Sequence, residues 1–509
     1  MLKGTIRPPV LKIRNEKIIL RHVIAMALSR FFRTFPDRFK SVANLLKDLE
    51  HPSAVSDFRA FLHTHNEELV TSLKTIVPPD MLSQIGLMDG SWIHKIAGED
   101  SRFSLAEEEV SSDHKNVIKV RDEAISKLDG KTLEWAENRA KTIASEDVLS
   151  FLSRKAVIPK YGFPVDVVEL DTQKTLKNSE ASSVLFQRDL SLAIAEFAPR
   201  SQIIANKALW TSYGLKKVAE REWPRRFYKR CVHHNVFLQW GKGGDEPPSP
   251  CGDTLSVFEY ITPQFGFVAD RSGPKKPRGR TIRMLTTRPY FAGPLQPDVE
   301  TISLPLHSPL LSIKKASPGL MVILCEGLRG NGFYICEACG SGFLKREVPH
   351  KDPYGRVCRG SLTQVSLGHE FVTDVLQLQF HLRPRNIAEL SWFAHSLAYA
   401  LLEGAAEVLE VPSTDLNVIV GYHGGEGLPP IILYDDVPGG AGLVAHLESE
   451  SILLDCLKAA QHRVSGMCGC SANTSCYGCL RSYRNQFAHV HLQRGPVYEY
   501  LEAILGQWS

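Results

Sequence analysis

Long apolar runs are missing from this 509-residue chain, and the richest, LAYALLEGAAEVLEV from Leu397, is broken by glutamates. It falls short of the roughly 20 residues a membrane helix needs, so no helical span and no membrane partner is expected. The N-terminal MLKGTIRPPVLKIRNEK lacks the apolar core and small-residue cleavage site of a secretory signal, and a cytoplasmic location follows as the expectation. Charge of one sign is scarce too: 60 Lys and Arg against 56 Asp and Glu give a net +4, which decides nothing globally about nucleic acid. A G-x4-G-K-[ST] phosphate loop does not occur, since WGKGGDEPP has the letters without the spacing. Nor does G-x-S-x-G. A nucleotide motor and a serine hydrolase are therefore not expected of these residues. Internal repeats and long low-complexity tracts are absent as well.

What is present is ordinary soluble-protein composition, 43% hydrophobic and 23% charged, in a chain long enough for two to four domains with well-buried cores. Disulfides are not needed for stability at this size. The 11 cysteines are nevertheless clustered. Cys468, Cys470, Cys476 and Cys479 form C-x-C-x5-C-x2-C, while Cys336 and Cys339 form a C-x2-C knuckle followed by His350 and Cys358. In a reducing compartment clustered thiols are free to take a metal, and a C-x2-C turn lets two sulfurs converge on one tetrahedral zinc. Redox-active or disulfide-linked cysteines are the other reading of the last cluster. His350 is the candidate fourth ligand of the 336–358 set, with His369 as its rival. A third, less complete group offers Cys231, His234 and Cys251, with His233 alongside. Two zinc ions are expected, or three if that group is filled. Cys325 and Cys456 lie in apolar runs and read as buried hydrophobes.

Basic residues concentrate in two stretches. DRSGPKKPRGRTIRMLTTRPYF carries Arg271, Lys275, Lys276, Arg278, Arg280, Arg283 and Arg288 against Asp270 alone, and KKVAEREWPRRFYKR interleaves basic residues with Trp223, Phe227 and Tyr228. Such segments can neutralise phosphates and stack bases; for the Pro/Gly-rich 271–280 stretch a solvated, flexible loop is the plain alternative. Arg481, Tyr483 and Arg484 beside the last knuckle are further nucleic-acid candidates or packing residues. Asp435 and Asp436, at a strand end before a glycine turn, would suit a Mg2+-dependent nuclease or would simply cap a following helix.

The fold class expected is α+β. Residues 1–155 read as a helical domain, from the periodic Ile18, Ile19, His22, Val23, Met26 and Ala27 onward. From AVIPKYGFPVDVVEL short β-branched runs broken by Gly and Pro set in, such as SQIIANK, FVADR, TIRML and MVILCEGL, so 156–330 reads as a β-rich middle domain. Residues 331–509 read as an α+β domain with cysteine-rich zinc sites, in which LGHEFVTDVLQLQF is a strand, AELSWFAHSLAYALLEGAAEVLEV a helix, and LNVIVGY and PIILYDD buried strands.

PKYGFPVDVV, RDLSLAIAEFAP, the C-x2-C knuckle leading into LGHEFVTDVL, LYDDVPGGAGL and CGCSANTSCYGCLRSYRNQFAHVHLQR together resemble the MrfA-type zinc-binding region that ends many bacterial DEAD/DEAH-box helicases. The resemblance covers roughly residues 155–495. It implies that Cys468, Cys470, Cys476 and Cys479 bind the metal. With no motor motif in these residues, the chain is similar to free-standing versions of that region such as the DrmB subunits of DISARM anti-phage systems. That implies a non-enzymatic, DNA-binding partner of a DrmA-like helicase subunit. An autonomous metal-dependent nuclease, or a subunit of a DNA-repair helicase, is the alternative.

Overall fold

The computed structural model describes residues 16–508 apart from 129, 156, 159–165, 174–183, 219–220, 242–243, 278–284, 295–300, 306–308, 386, 388, 423–426 and 437–441. The chain opens with helices α1 (Glu16–Thr34), α2 (Val42–Leu46), α3 (Ala54–Thr64), α4 (Asn66–Leu73), α5 (Leu82–Ile85), α6 (Trp92–Ala97), α7 (Arg102–Ser126), α8 (Gly130–Ser145) and α9 (Val148–Arg154). Ile19, Val23, Ala27, Leu28 and Phe31 of α1 recur at helical spacing and are buried, which is why this stretch is a helix docked on its neighbours. The helical stretch from Ser56 to Val77 makes two helices with His65 at the break. Ser101 caps α7 by accepting from the Ser104 amide, and this helix then buries charged residues, Glu107, Glu109 and Asp113.

A five-stranded sheet follows, built from β1 (Val167–Asp171), β2 (Phe186–Asp189), β3 (Gln202–Ala205), β4 (Ala208–Leu215) and, later in the chain, β8 (Phe267–Ala269), in the order β2-β1-β8-β4-β3. Helix α10 (Leu190–Glu196), capped by Asp189, covers it. TIRML lies largely outside the described residues.

The second sheet has eleven strands. It comprises β5 (Arg225–Cys231), β6 (Val236–Trp240), β7 (Val257–Ile261), β9 (Arg288–Pro294), β10 (Thr301–Leu304), β11 (Leu311–Cys325), β12 (Phe333–Cys336), β13 (Gly342–Phe343), β16 (Leu362–Phe380), β17 (Leu416–Val420) and β18 (Ile431–Asp435). Its axis is the antiparallel pair β11 and β16, in register from Leu311 opposite Phe380 to Cys325 opposite Leu367, with one slip between Ala316 and Gly319. The pairing runs straight across residue 330, so the stretches 156–330 and 331–509 share one sheet. A two-stranded ribbon, β14 (His350–Lys351) with β15 (Val357–Cys358), stands apart from both sheets.

Helices α11 (Leu390–Val408), α12 (Glu450–Val464) and α13 (Arg494–Leu505) close a core shared with Leu376, Leu378, Phe380, Leu433 and Cys479. Gly404 of α11 sits so close to α12 that a Cβ there would lie 2.6 Å from the Cys456 carbonyl. Cys325 and Cys456 are fully buried. Burial pushes the Cys456 thiol up to about 12.

Helical region and sheets are joined by charge. Lys216 Nζ, following β4, lies 2.5 Å from Asp113, 3.0 Å from Glu109 and 3.5 Å from Asp171, and Lys155 adds a 2.6 Å contact to Glu109. Arg221 with Glu108 and Arg102 with Asp166 continue the seam outward.

Candidate metal centres

The first centre is made by two hairpins facing each other. Cys336 ends β12, and the knuckle turns back with the Gly340 amide donating to the Cys336 carbonyl at 2.9 Å, Gly340 taking φ +79°. His350 and Cys358 stand opposite each other on β14 and β15, so one cross-strand pair delivers two donors. Cys336 Sγ is 3.8 Å from Cys358 Sγ, and Cys339 Sγ is 3.3 Å from His350 Nε2. The four donor atoms all lie within 4.8 Å of one another. His369 is elsewhere, buried in β16 against Phe371 and near Asp166. Burial raises the Cys339 thiol well above its ordinary value, a cost that a bound cation reverses by stabilising the thiolate.

The second centre forms between the end of α12 and the start of α13. Cys468 Sγ is 3.4 Å from Cys470 Sγ, Cys470 is 3.8 Å from Cys479, and Cys479 is 3.9 Å from Cys476. Four bonds of about 2.3 Å in a tetrahedron require sulfurs about 3.8 Å apart, and these separations match that requirement. They far exceed the roughly 2.05 Å of a disulfide, and all eleven cysteines are free. Amides aim at the sulfurs: Cys476 N at Cys479 Sγ, 3.2 Å, and Gly478 N at Cys476 Sγ, 3.3 Å. The Cys468 thiol is lowered to about 7, chiefly by the Cys470 amide, whereas burial lifts Cys479 to about 12. Arg494 clamps the loop by donating to the Cys470 carbonyl and to that of Val464. Donor chemistry and geometry at both centres fit zinc.

The third group gains a member that sequence reasoning missed. Cys231, His234 and Cys251 converge with Asp253, which stands two residues beyond Cys251 in an exposed loop. An acid immediately after CG in a segment already holding Cys and His was the available signal.

The basic segments divide. Lys275 and Lys276 are exposed, Lys275 pairing backbone with Leu209, while Arg278, Arg280 and Arg283 lie outside the described residues. In the KKVAEREWPRRFYKR stretch the half-buried Phe227 stacks on Trp240. Trp223 and Tyr228 are buried, and the β5 cations pair with acids from other strands and loops: Arg225 with Glu259 at 2.7 Å, Arg226 with Glu370 at 3.2 Å, Lys229 with Glu246, and Arg230 with Glu326. Arg481 donates to Ser475 and Thr474 within the knuckle, and Arg484 pairs with Asp436 at 3.0 Å. Tyr483 between them is 76% exposed. Asp435 accepts from the amides of Leu443 and Val444, so it caps the turn that follows. Burial raises the Asp436 carboxyl, and Arg484 opposes that shift.

Residues 397–480 match the family model of the MrfA Zn-binding domain, a span that contains α11 from Leu397 onward, β17, β18, α12 and all four cysteines of the second centre. The chain is similar to the Druantia protein DruE of Escherichia coli (strain UMEA 4076-1), 24% identical over 97% of this chain. It spans only 30% of that relative's length. Among solved structures it is similar to the DUF1998 helicase MrfA bound to DNA, at 13% identity over 72% of this chain and 40% of that one, with a TM-score of 0.32.

Proposed function

We propose, starting from an MrfA-type zinc-binding domain at residues 397–480, that this chain is the zinc-clamped, DNA-gripping module of a helicase machine in bacterial anti-phage defence. The observation that carries the reading is the second centre: four cysteines at tetrahedral spacing inside the span that matches the family. Zinc there holds a loop that presents Arg484, Tyr483 and Tyr477 at the surface on a fixed frame. Exposed Lys275 and Lys276 add phosphate-neutralising charge, giving sequence-independent, salt-sensitive binding. The defence setting is supported by similarity to DruE and by the resemblance to free-standing DISARM subunits.

The motor lies outside these residues, in a DrmA-like helicase subunit, and the chain itself is not an enzyme. Purified chain should bind labelled DNA without cleaving it in Mg2+ or Mn2+ and should turn over no ATP. ATPase activity should appear on adding the helicase that co-purifies with it. Cleavage by the chain alone would overturn the reading in favour of a nuclease, and ATP turnover by the chain alone would remove the need for a separate motor.

A further inference from the structure

We infer that Cys231, His234, Cys251 and Asp253 form a third zinc site, more readily exchanged than the other two and built to fasten one loop. Cys231 is the last residue of β5 and His234 lies in the turn before β6, so a single hairpin end supplies two donors. The other two come from the loop that leaves β6 and returns as β7. With zinc bonds of about 2.0–2.3 Å, a tetrahedron needs sulfur to nitrogen or oxygen edges of about 3.5 Å and a nitrogen to oxygen edge of about 3.3 Å. Here Cys231 Sγ lies 3.2 Å from His234 Nδ1 and 3.3 Å from Asp253 Oδ2. Cys251 Sγ is 3.8 Å from Asp253 Oδ2, and His234 Nδ1 is 3.1 Å from the same oxygen. Four donors of three chemical kinds meeting at these spacings from two segments is the arrangement a borderline-soft divalent ion takes.

The loop has need of a fastener. Rich in Gly and Pro, it lays no large apolar residue into a core among its described residues, and its ties there include the Lys229–Glu246 ion pair and the Tyr422 hydroxyl donating to the Pro250 carbonyl at 2.7 Å. A bound ion closes it onto the hairpin. The same features make the ion exchangeable: His234 and Asp253 side chains are 47% and 49% exposed, and a carboxylate replaces the thiolate or imidazole that completes the other centres.

Zinc release from the full-length chain to a chromophoric chelator tests this. Wild type should release one zinc fraction about tenfold faster than the rest. Cys251→Ser and Asp253→Asn should each lack that fraction and hold one zinc fewer, with unchanged far-UV circular dichroism. If both variants keep wild-type zinc content and release, the four residues form a hydrogen-bonded cluster without metal. Alkylation mapping of wild type needs no variant: Cys251 should react slowly as purified and rapidly after mild chelation, before Cys336 and Cys479 become reactive. Equal reactivity of Cys251 in the two states would overturn the site.

Discussion

Replacing Lys216 by Met removes an ammonium from the middle of a buried charge cluster while keeping a similar unbranched apolar stem, so little cavity is created. Three carboxylates, Glu109, Asp113 and Asp171, then lose the Lys216 ammonium that lay within 2.5–3.5 Å of all three, and Lys155 remains paired with Glu109. Removing one partner of a buried ion pair costs about 3–5 kcal/mol, and this one leaves more than one charge unbalanced. Against a total stability of about 5–15 kcal/mol that is a large fraction. Urea unfolding followed by tryptophan fluorescence is a suitable assay, because buried Trp223 donates its indole N–H to the Lys216 carbonyl and reports on this seam. Burial raises Asp113, and Asp171 and Glu109 raise it further, so adding Asp113→Asn to the Lys216 variant should recover part of the loss. A Lys216→Met protein within about 1 kcal/mol of wild type would refute the argument, because the cluster would then have to be uncharged in the folded state.

The seam also fixes a pH dependence. Burial pushes Glu109 up, but Lys155 and then Lys216 bring it below its ordinary value, so its contribution is full above about pH 4.5 and fades as pH falls through the lower folded value; Glu109→Gln should flatten acid unfolding curves in that window. Structural zinc contributes on the order of 10 kcal/mol to folding around it, and Cys479→Ser should lower zinc content and reduce the Tm of the C-terminal core by about 10 °C in calorimetry. Gly404→Val should force α11 away from α12 and cost about 3 kcal/mol in urea titrations, since even a Cβ meets the Cys456 carbonyl at 2.6 Å. Changing Lys275, Lys276, Arg278 and Arg280 together to Ala should weaken DNA binding by the helicase complex and flatten its log-log salt slope, with stability unchanged; wild-type affinity and slope would make the segment a linker.

Local chemistry was legible in the sequence where donors are close along the chain. The Cys336–Cys339 and Cys476–Cys479 knuckles are single turns, so spacing alone places two sulfurs together. The sequence already favours His350 over His369 by its place beside the knuckle, but does not display the β14–β15 pairing that puts it opposite Cys358. The β5 cations misled because their partners Glu326 and Glu370 lie 96 and 144 residues away, and a basic row beside Trp and Tyr reads alike whether it faces DNA or other strands. Length was hidden as well. MVILCEGL reads as one short run, whereas β11 extends from Leu311 to Cys325 with a register slip between Ala316 and Gly319.

The 19-residue strand β16 is about 60 Å long if fully extended. At one end Leu362 pairs with Cys336 of the first cysteine cluster; at the other Phe380 packs on Tyr500 of α13. Force applied along this strand is resisted in shear, because the hydrogen bonds to β11 stand perpendicular to it and are strained together. Force across the strand would open those bonds one after another, at far lower load. The end that pairs with the first knuckle and the end that packs on α13 are thus joined by one strand held along its length, so tension entering at either end is met by the whole ladder at once.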